Sequence, residues 1–367
     1  MVFFIGMIVV LDFGSALSKA LIVEGDNYRF FRFSLSYSPQ DFSQKSLLES
    51  LKRIENLSGS VLFSGDGKLT AKVYVTTGLP MVLGGEGAST EIISESKIIV
   101  DADYNLLSLG FRFVHYKDKV AVVRPSFEEI LKWLPFKLSL SEIDNYWSNK
   151  EIYSNALPIF PRDLYLEQAT AREVIIQFRR SQGINFSDSE IVLSGRIFSL
   201  CPYPSQSLLI FLDSFAPSSK TDVYLDKTGL ALCLGLLKLY ESEAYNHLPD
   251  SLLPEFLGTV LPFDTPIHLE IDLGLSQIQT VDVPENGLFL FPLESGETAR
   301  LKVVAMGKKE SYFDVSGGSL GFVVDCRSYE TSSGTGSVRT LSLPANSAKR
   351  MELLKSWERS LSVPVKI

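Results

Sequence analysis

Five residues near the start of the chain have the types and the spacing of a phosphate-binding turn. Asp12, Gly14, Ser15, Ser18 and Lys19 follow one apolar run and lead into a second. Glycine lets backbone N–H groups approach a phosphate, hydroxyl groups donate to its oxygens, and lysine supplies a compact positive charge. A carboxylate at the end of a strand can hold Mg²⁺, usually through the ion's waters. The stretch therefore predicts a phosphate site with Asp12 as the metal ligand.

The same residues are also compatible with a plain β-hairpin. Polar residues and glycine are common in any tight turn between two strands, whether or not the turn binds a ligand. The composition of the turn alone does not separate these two interpretations, and both stay open at this point.

The elements around this turn follow from the spacing of apolar residues. Alternation predicts strands over 7–11, 18–24 and 28–35, the last two joined by a turn at 25–27. Apolar residues at helical spacing predict a helix over 43–57. Short strands are predicted between 60 and 101, and a hairpin over 106–125.

Helices dominate the middle of the chain. The clearest one is predicted over 161–183, where Pro161 suits its first turn and Gly183 its end. The run 228–241 is apolar almost all round, which is typical of a buried helix. After residue 257 short strands alternate with turns, and the chain closes with an amphipathic helix. The apolar stripe of that last helix is Met351, Leu354, Trp357 and Leu361.

Composition excludes several classes of function. The chain has 367 residues and a net charge of −8, and it lacks a long basic run, which argues against a nucleic-acid or anionic-membrane surface. The opening run 1–11 is too short to span a membrane and lacks the basic start of a signal peptide, so a cytoplasmic protein is expected. Cys201, Cys233 and Cys326 are predicted to be buried thiols, and the three histidines form no zinc pattern.

Acidic residues elsewhere are expected to be structural. Asp325 ends an apolar run and has Arg327 beside it, which predicts a local ion pair. Asp213, Asp222 and Asp226 flank apolar elements and are predicted to be caps or turn residues.

The first turn resembles the first phosphate loop of the actin, Hsp70 and sugar-kinase superfamily, in which a D-x-G-[ST] turn joins two strands of an RNase H-like sheet. Such folds carry a second phosphate loop in a duplicated domain. The candidate here is 83–94, "LGGEGASTEIIS". On this resemblance the nucleotide-binding residues of the second loop would be Gly85, Gly87, Ser89 and Thr90. Glu91 would join Asp12 as a catalytic acid.

Later segments resemble the methylaspartate (glutamate) mutase accessory protein family. The similar stretches are "FLDSFAPSSKTDVYLDKTGLALCLGLL" (211–237), "LLPEFLGTVLP" (252–262), "FPLESGETARLKV" (291–303), "SGGSLGFVVDCRS" (316–328) and "KRMELLKSW" (349–357). The resemblance covers residues 155–367 well, the first turn moderately and residues 35–150 loosely. It places Gly195 in the loop on the adenosine side of a nucleotide.

The sequence departs from this family at positions that matter for hydrolysis. Gly84 occupies the place of the leading aspartate of the second loop, and Ser108 that of a further aspartate. Arg196 replaces a small residue of the adenosine-side loop. Because hydrolysis in this superfamily depends on carboxylates that hold magnesium and orient water, a weak ATPase or a pseudo-ATPase is expected.

The resemblance implies an α/β fold with duplicated RNase H-like, actin-like ATPase lobes over 1–257. A β-rich C-terminal domain with a terminal helix would occupy 258–367. ATP and Mg²⁺ are the implied cofactors, and the implied partner is a subunit of an adenosylcobalamin-dependent mutase or a second copy of the chain. The competing hypotheses are a non-catalytic actin-like scaffold or filament and, ranked last, a sugar or acid kinase, for which we place no general base.

Overall fold

The protein has a mixed α/β fold. The computed structural model describes residues 7–13, 18–33, 51–52, 72–76, 97–104, 112–116, 119–123, 125–153, 156–187, 190–274, 278–305, 309–331 and 337–361. Most of the predicted helix 43–57 and all of the predicted second loop 83–94 lie outside these residues. Of the helices that the structure describes, none combines the length and apolar character that crossing a bilayer demands.

The first sheet has four strands in its described part. They are β1 (Ile8–Phe13), β2 (Ser18–Glu24), β3 (Asn27–Phe33) and β4 (Lys72–Thr76). Their order is β3-β2-β1-β4; β2 runs antiparallel to both β1 and β3, and β4 runs parallel to β1. The predicted hairpin is confirmed, with Gly25 in the turn at a φ of 58° that favours glycine.

The second sheet has eight strands, in the order β13-β16-β10-β9-β8-β5-β6-β7. They are β5 (Lys97–Tyr104), β6 (Arg112–Tyr116), β7 (Lys119–Val123), β8 (Glu190–Ser194), β9 (Thr221–Leu225), β10 (Glu255–Pro262), β13 (Leu288–Phe291) and β16 (Gly321–Asp325). Within it β5, β8 and β9 run parallel, and β6 is antiparallel to β5 and to β7.

The first four strands of the two sheets share one arrangement. In each sheet the order is third, second, first, fourth; the first three strands form an antiparallel meander, and the fourth runs parallel to the first. Each of the three strand pairings of the first sheet therefore has a counterpart in the second sheet with the same relative direction of its two strands.

Eight α-helices have described bounds. They are α1 (Phe127–Leu131), α2 (Leu140–Ile152), α3 (Pro161–Gln182), α4 (Arg196–Ser199), α5 (Pro204–Phe215), α6 (Ala231–Tyr240), α7 (Ser242–Asn246) and α8 (Ser347–Ser360). The prediction for α3 is confirmed: Pro161 is its first residue, and Gly183 ends it in the left-handed conformation at a φ of 62°. The terminal helix is confirmed as well, with Leu354 and Trp357 buried.

Helix α6 packs against the first sheet, although in the chain it lies between β9 and β10 of the second sheet. Its N-cap Leu230 and its residues Leu234 and Leu237 share one core cluster with Ile8 and Leu21. This helix is the apolar run predicted over 228–241, and most of its described residues are buried, with Lys238 exposed.

The last part of the chain continues the second sheet. The predicted boundary between 257 and 258 falls inside β10, which pairs with β9 on one side and with β16 on the other. A further four-stranded sheet has the order β12-β11-β14-β15. It packs on the face of β10 and β16 that carries Leu261, Phe322 and Val324. Its strands are β11 (Ile267–Asp272), β12 (Ile278–Val283), β14 (Thr298–Ala305) and β15 (Ser311–Ser316). A small ribbon of β17 (Tyr329–Thr331) and β18 (Arg339–Leu341) precedes α8.

Candidate functional site

Among the predicted phosphate ligands, Lys19 is the one whose surroundings the structure describes most fully. It lies on β2, directly opposite Asp12 of β1 in the antiparallel ladder, and its side chain is buried. A Cβ added at Gly229 would lie 3.4 Å from both Cε and Nζ of Lys19. The first sheet therefore reaches the loop that follows β9 of the second sheet, 210 residues further along the chain.

A second contact joins the same two places. The Arg32 guanidinium, on β3, donates to the backbone carbonyl of Thr228 at 2.5 Å. Because Lys19 and Arg32 occupy opposite positions of the β2–β3 ladder, two neighbouring cationic residues of the first sheet approach one loop.

Asp226 shapes that loop. Its carboxylate accepts from the backbone N–H groups of Gly229, Leu230 and Ala231 at 2.7, 3.1 and 2.8 Å. These amides begin α6, and an acid at a helix N-terminus satisfies donors that have no partner within the helix. The sequence prediction of a cap or turn residue is confirmed, and Gly229 completes the turn with a φ of 70°.

Two hydroxyl groups complete the hydrogen bonding of Asp226. Thr228 Oγ1 donates to one carboxylate oxygen at 2.9 Å, and Ser194 Oγ donates to the other at 2.7 Å. Asp226 is 1% exposed, and five donors occupy its two oxygens. The hydrogen-bonding capacity of its carboxylate is therefore used within the loop, and Asp226 is not available as a metal ligand.

The carboxyl ends of three parallel strands meet beside this loop. Asp101 of β5 is in register with Ser194 of β8, and the N–H of Asp226, just after β9, donates to the carbonyl of Leu193. Neighbouring strands lie about 4.8 Å apart, which places Asp101 about 10 Å from Asp226. One edge of the second sheet thus presents a row of Asp101, Ser194 and Asp226 next to the loop that Lys19 contacts.

Sequence reasoning missed Asp101. It pairs with the last residue of β8 in the way that Asp12 pairs with Thr76, the last residue of β4. The parallel register therefore makes Asp101 the counterpart of Asp12. The signal was present as "IIVD" at 98–101, which matches "VVLD" at 9–12 in its pattern.

The other predicted site residues divide into two groups. Asp12 and Ser18 lie on β1 and β2, and Gly195 follows β8, is buried and has a φ of 89°. The rest lie outside the described residues: Gly14, Ser15, Gly85, Gly87, Ser89, Thr90 and Glu91. In strand order the counterpart of the turn after β1 is the β5–β6 connection over 105–111, whereas the predicted second loop precedes β5. Both segments also lie outside the described residues.

The chemical types of the residues at this edge are those that bind a phosphate and a hard cation. The Lys19 ammonium lies against Gly229, which has no side chain, and lysine is a compact phosphate ligand. Carboxylate oxygens are the ligands that Mg²⁺ prefers, and Asp12 and Asp101 hold equivalent register positions, each opposite the last residue of the parallel neighbouring strand. Within the described ranges, no group of three His, Cys, Asp or Glu side chains is arranged as a metal site of its own.

Asp325 belongs to a buried structural network. The Arg327 guanidinium donates to Asp325 at 2.9 Å and to Asp213 at 2.5 Å, and Arg172 donates to Asp213 at 2.5 Å. Arg327 also lies over the ring of Trp357 on α8, 4.7 Å from its centroid. The predicted pairing of Asp325 with Arg327 is confirmed, and the network links α3, α5, the end of β16 and α8.

All three cysteines are free thiols in the structure. Burial raises the pKa of Cys201 to about 11 and that of Cys326 to about 12. Both thiols are therefore protonated at neutral pH, and the thiolate form that nucleophiles and metal ligands need is scarce.

The chain matches no protein-family model and none of the curated proteins. Solved structures do resemble it, at low identity. One is an activator of the 2-hydroxyisocaproyl-CoA dehydratase from Clostridium difficile with bound ADPNP (14% identity, 65% of this chain and 96% of that one, TM-score 0.34). Another is the ethanolamine utilization protein EutJ from Carboxydothermus hydrogenoformans (13% identity, 64% and 89%, TM-score 0.35).

A third similar structure is a ROK-family transcriptional regulator, a homologue of the E. coli MLC protein (12% identity, 57% of this chain and 68% of that one, TM-score 0.25). Identities and TM-scores this low do not transfer an activity.

Proposed function

We propose that this protein is a divergent nucleotide-binding protein of the actin-like ATPase type that serves as an accessory factor for a protein partner. The observation that carries the proposal is the approach of Lys19 and Arg32 to the Asp226–Ala231 loop. It brings the carboxyl end of β1 in the first sheet to the same place as the carboxyl ends of β5, β8 and β9 in the second.

The shared strand order supports two duplicated RNase H-like lobes. A strand order of third, second, first, fourth with matching directions occurs in both sheets, and β9 adds a fifth parallel strand to the second. Ligands of open α/β sheets bind outside the carboxyl ends of parallel strands. The proposed cleft therefore lies where the strand ends of the two sheets approach each other, with α6 crossing between them.

The proposed ligand is ATP with Mg²⁺. Lys19 would hold a phosphate oxygen, with donors from Gly14, Ser15 and Ser18 of the first turn. Gly195 would leave room on the adenosine side because it has no side chain. On the opposite lobe the strand order favours the β5–β6 connection over 105–111 for enclosing the phosphates, instead of the second loop with Gly85, Gly87, Ser89, Thr90 and Glu91 that the family resemblance implies.

Asp12 and Asp101 are the proposed carboxylates for the metal. A bound Mg²⁺ neutralises charge that develops on the transferred phosphate. We propose that hydrolysis is slow for two reasons. Ser108 stands where the resembling family has an aspartate, and Asp226 is already occupied by five donors. Binding needs Lys19 and backbone donors and is retained.

The accessory role rests on the sequence motifs shared with the glutamate mutase accessory family. The proposed partner is a subunit of an adenosylcobalamin-dependent mutase, and nucleotide occupancy would bias the two lobes between conformations that grip or release it. Co-sedimentation with a purified glutamate mutase, with and without Mg-ATP, tests this part. Binding that ignores nucleotide, or no binding, argues against it.

Turnover experiments test the assignment of the two acids. We expect slow, magnesium-dependent release of phosphate that Asp12→Asn and Asp101→Asn each reduce by at least about tenfold, since each removes a ligand charge near the phosphates. Asp144→Asn, at an exposed acid of α2, is the matched control and should leave the rate unchanged. A rate as fast as that of ordinary actin-like ATPases, or one indifferent to both variants, contradicts the proposal.

A non-catalytic scaffold is the second candidate, and exposed apolar residues around α2 and α3 favour it. Leu157, Ile159 and Phe160 are solvent-exposed on one segment, which is unusual for a protein without partners. Pelleting with and without nucleotide separates filaments from smaller assemblies.

A further inference from the structure

One peptide unit between the two sheets is held from opposite sides. It joins Thr228 to Gly229, in the loop between β9 and α6. Its carbonyl oxygen accepts from the Arg32 guanidinium of the first sheet at 2.5 Å, and its N–H donates to the Asp226 carboxylate at 2.7 Å. The C=O and N–H groups of a planar trans peptide point in opposite directions. Arg32 and Asp226 therefore fix the orientation of one rigid unit.

The residue type at position 229 leaves this orientation open. Rotation of the peptide changes ψ of Thr228 and φ of Gly229, and glycine adopts positive and negative φ about equally readily. The φ of 70° at Gly229 is therefore not imposed by the residue itself. The hydrogen bonds at the two ends of the peptide select it.

The two ends of the loop belong to different sheets. Asp226 follows β9, and its N–H donates to the carbonyl of Leu193 in β8. Leu230, the N-cap of α6, is fully buried in the core cluster that α6 forms with the first sheet. The Thr228–Gly229 peptide lies between these anchors, so the way it is held affects how the first sheet meets the second.

Arg32 occupies a position that strand pairing alone does not favour. It stands opposite Lys19 in the β2–β3 ladder, and like charges at opposite positions destabilise a pair of strands. Both cations reach Gly229, since a Cβ added there would lie 3.4 Å from Lys19 Nζ and 3.9 Å from Arg32 Nη2. Two cations gathered at one glycine concentrate positive potential, which favours an anion as the ligand.

We propose that Arg32 is a positioning residue of the anion site at Lys19. In this role Arg32 contacts the loop and not the anion. By holding the Thr228 carbonyl it keeps Gly229 against the Lys19 ammonium, so that the lysine and the start of α6 stay in one arrangement when no ligand is bound. The inference rests on the proposed nucleotide site and names the residue that preorganises it.

Amide hydrogen exchange without nucleotide tests the hold on the loop. Asp226 accepts from the three N–H groups of residues 229–231. In Arg32→Met these groups should exchange about three- to tenfold faster, which is the effect of losing one hydrogen bond. Arg32→Lys keeps a charged donor and should restore most of the protection.

Arg29→Met is the matched control for the exchange experiment. Arg29 lies on the same strand as Arg32 but on its other face, by the period of two, and it pairs with Glu24. Its replacement should leave the exchange of the amides at 229–231 unchanged.

Titration with Mg-ATP tests the consequence for the site. The dissociation constant of Arg32→Met should be about three- to tenfold that of the wild type. Arg32→Lys and Arg29→Met should both stay close to the wild type. Because Arg32 holds the loop, the ratio should be the same at about 0.05 M and 0.5 M salt, whereas a direct contact with the anion would be screened and the ratio would fall.

Three results would overturn the proposal. These are wild-type exchange in Arg32→Met, faster exchange with an unchanged dissociation constant, and a loss of affinity that disappears at high salt, which would make Arg32 a direct ligand. Unchanged exchange in a protein that does bind Mg-ATP contradicts this inference alone. A wild type that binds neither Mg-ATP nor inorganic pyrophosphate contradicts the proposed function and this inference together.

Discussion

Lys19 of the first sheet lies against Gly229 in the loop after β9 of the second, with 3.4 Å between the lysine Nζ and the position of an added Cβ. No turn or helix dictates this proximity, because the two residues are separated by more than half of the chain. It arises because α6 leaves the second sheet and packs on the first. The loop at the start of α6 is therefore held between the two sheets.

Gly229→Ala tests the space beside Lys19. Residue 229 has a φ of 70°, so alanine should cost about 1 kcal/mol of unfolding free energy from backbone strain. Its methyl group would also occupy the place proposed for a phosphate oxygen and should weaken binding of Mg-ATP. Gly274→Ala is the matched control, since Gly274 has a φ of 74° and nothing within 4 Å of an added Cβ.

Urea unfolding and nucleotide titration of both variants provide the readout. Equal losses of stability with a loss of nucleotide binding only in Gly229→Ala are expected. Unchanged binding in Gly229→Ala would show that the space beside Lys19 is not used.

Asp226→Asn tests the cap of α6. The amide replaces one accepting oxygen by a donor that faces other donors, and hydrogen bonds to a charged group are worth about 1.5–3 kcal/mol each. We expect a loss of about 3 kcal/mol of unfolding free energy for Asp226→Asn and about 1.5 kcal/mol for Ser194→Ala, which removes one donor. Denaturant titration measures both, and an Asn variant as stable as the wild type would refute the role of the carboxylate.

Arg327→Met tests the buried network. It leaves the carboxylates of Asp213 and Asp325 without their shared partner in a buried site, which should cost about 3–5 kcal/mol. Arg29→Met removes a partly exposed arginine that pairs with Glu24 and should cost less than about 1 kcal/mol. Comparable losses in the two variants would contradict the network's contribution.

Glu358→Gln tests a buried acid on α8. Burial raises the pKa of Glu358, opposed by Arg172 and Lys355 and assisted by Asp213, while the Tyr165 hydroxyl donates to it at 3.1 Å. Because the pKa is higher in the folded state, the wild type loses stability as the pH rises above the ordinary value of 4.5 and through the folded pKa.

The glutamine variant does not titrate and should gain stability relative to the wild type over that pH range. Below the ordinary pKa the acid is protonated in both folded and unfolded states, and the difference should no longer change with pH. Denaturation midpoints across the range measure this. If the stability of the variant relative to the wild type stays constant with pH, or falls as the pH rises, the assignment is contradicted.

Local signals were enough to predict several elements. The β2–β3 hairpin follows from alternation and Gly25, α3 from Pro161 and Gly183, and α8 from its apolar stripe. In each case the residues that decide the structure are neighbours in the chain, so periodicity and capping reveal them.

Long-range pairing was not predictable in the same way. The union of β9, β10 and β16 into one sheet depends on contacts between segments far apart, which leave no local pattern. Asp101 was missed for a related reason. A carboxylate near a strand end looks like an ordinary solvent-facing residue until the register with β8 shows that it matches Asp12.

The most direct test of the central claim is the thermal unfolding of the wild type and of Lys19→Met, each with and without saturating Mg-ATP. A ligand at a hundred times its dissociation constant stabilises a protein by about 2.7 kcal/mol. We expect a clear rise in the wild type's midpoint that Lys19→Met loses and that Lys132→Met, at an exposed lysine of α1's C-cap, retains. No rise at millimolar nucleotide, or a full rise in Lys19→Met, would contradict a nucleotide cleft built around Lys19.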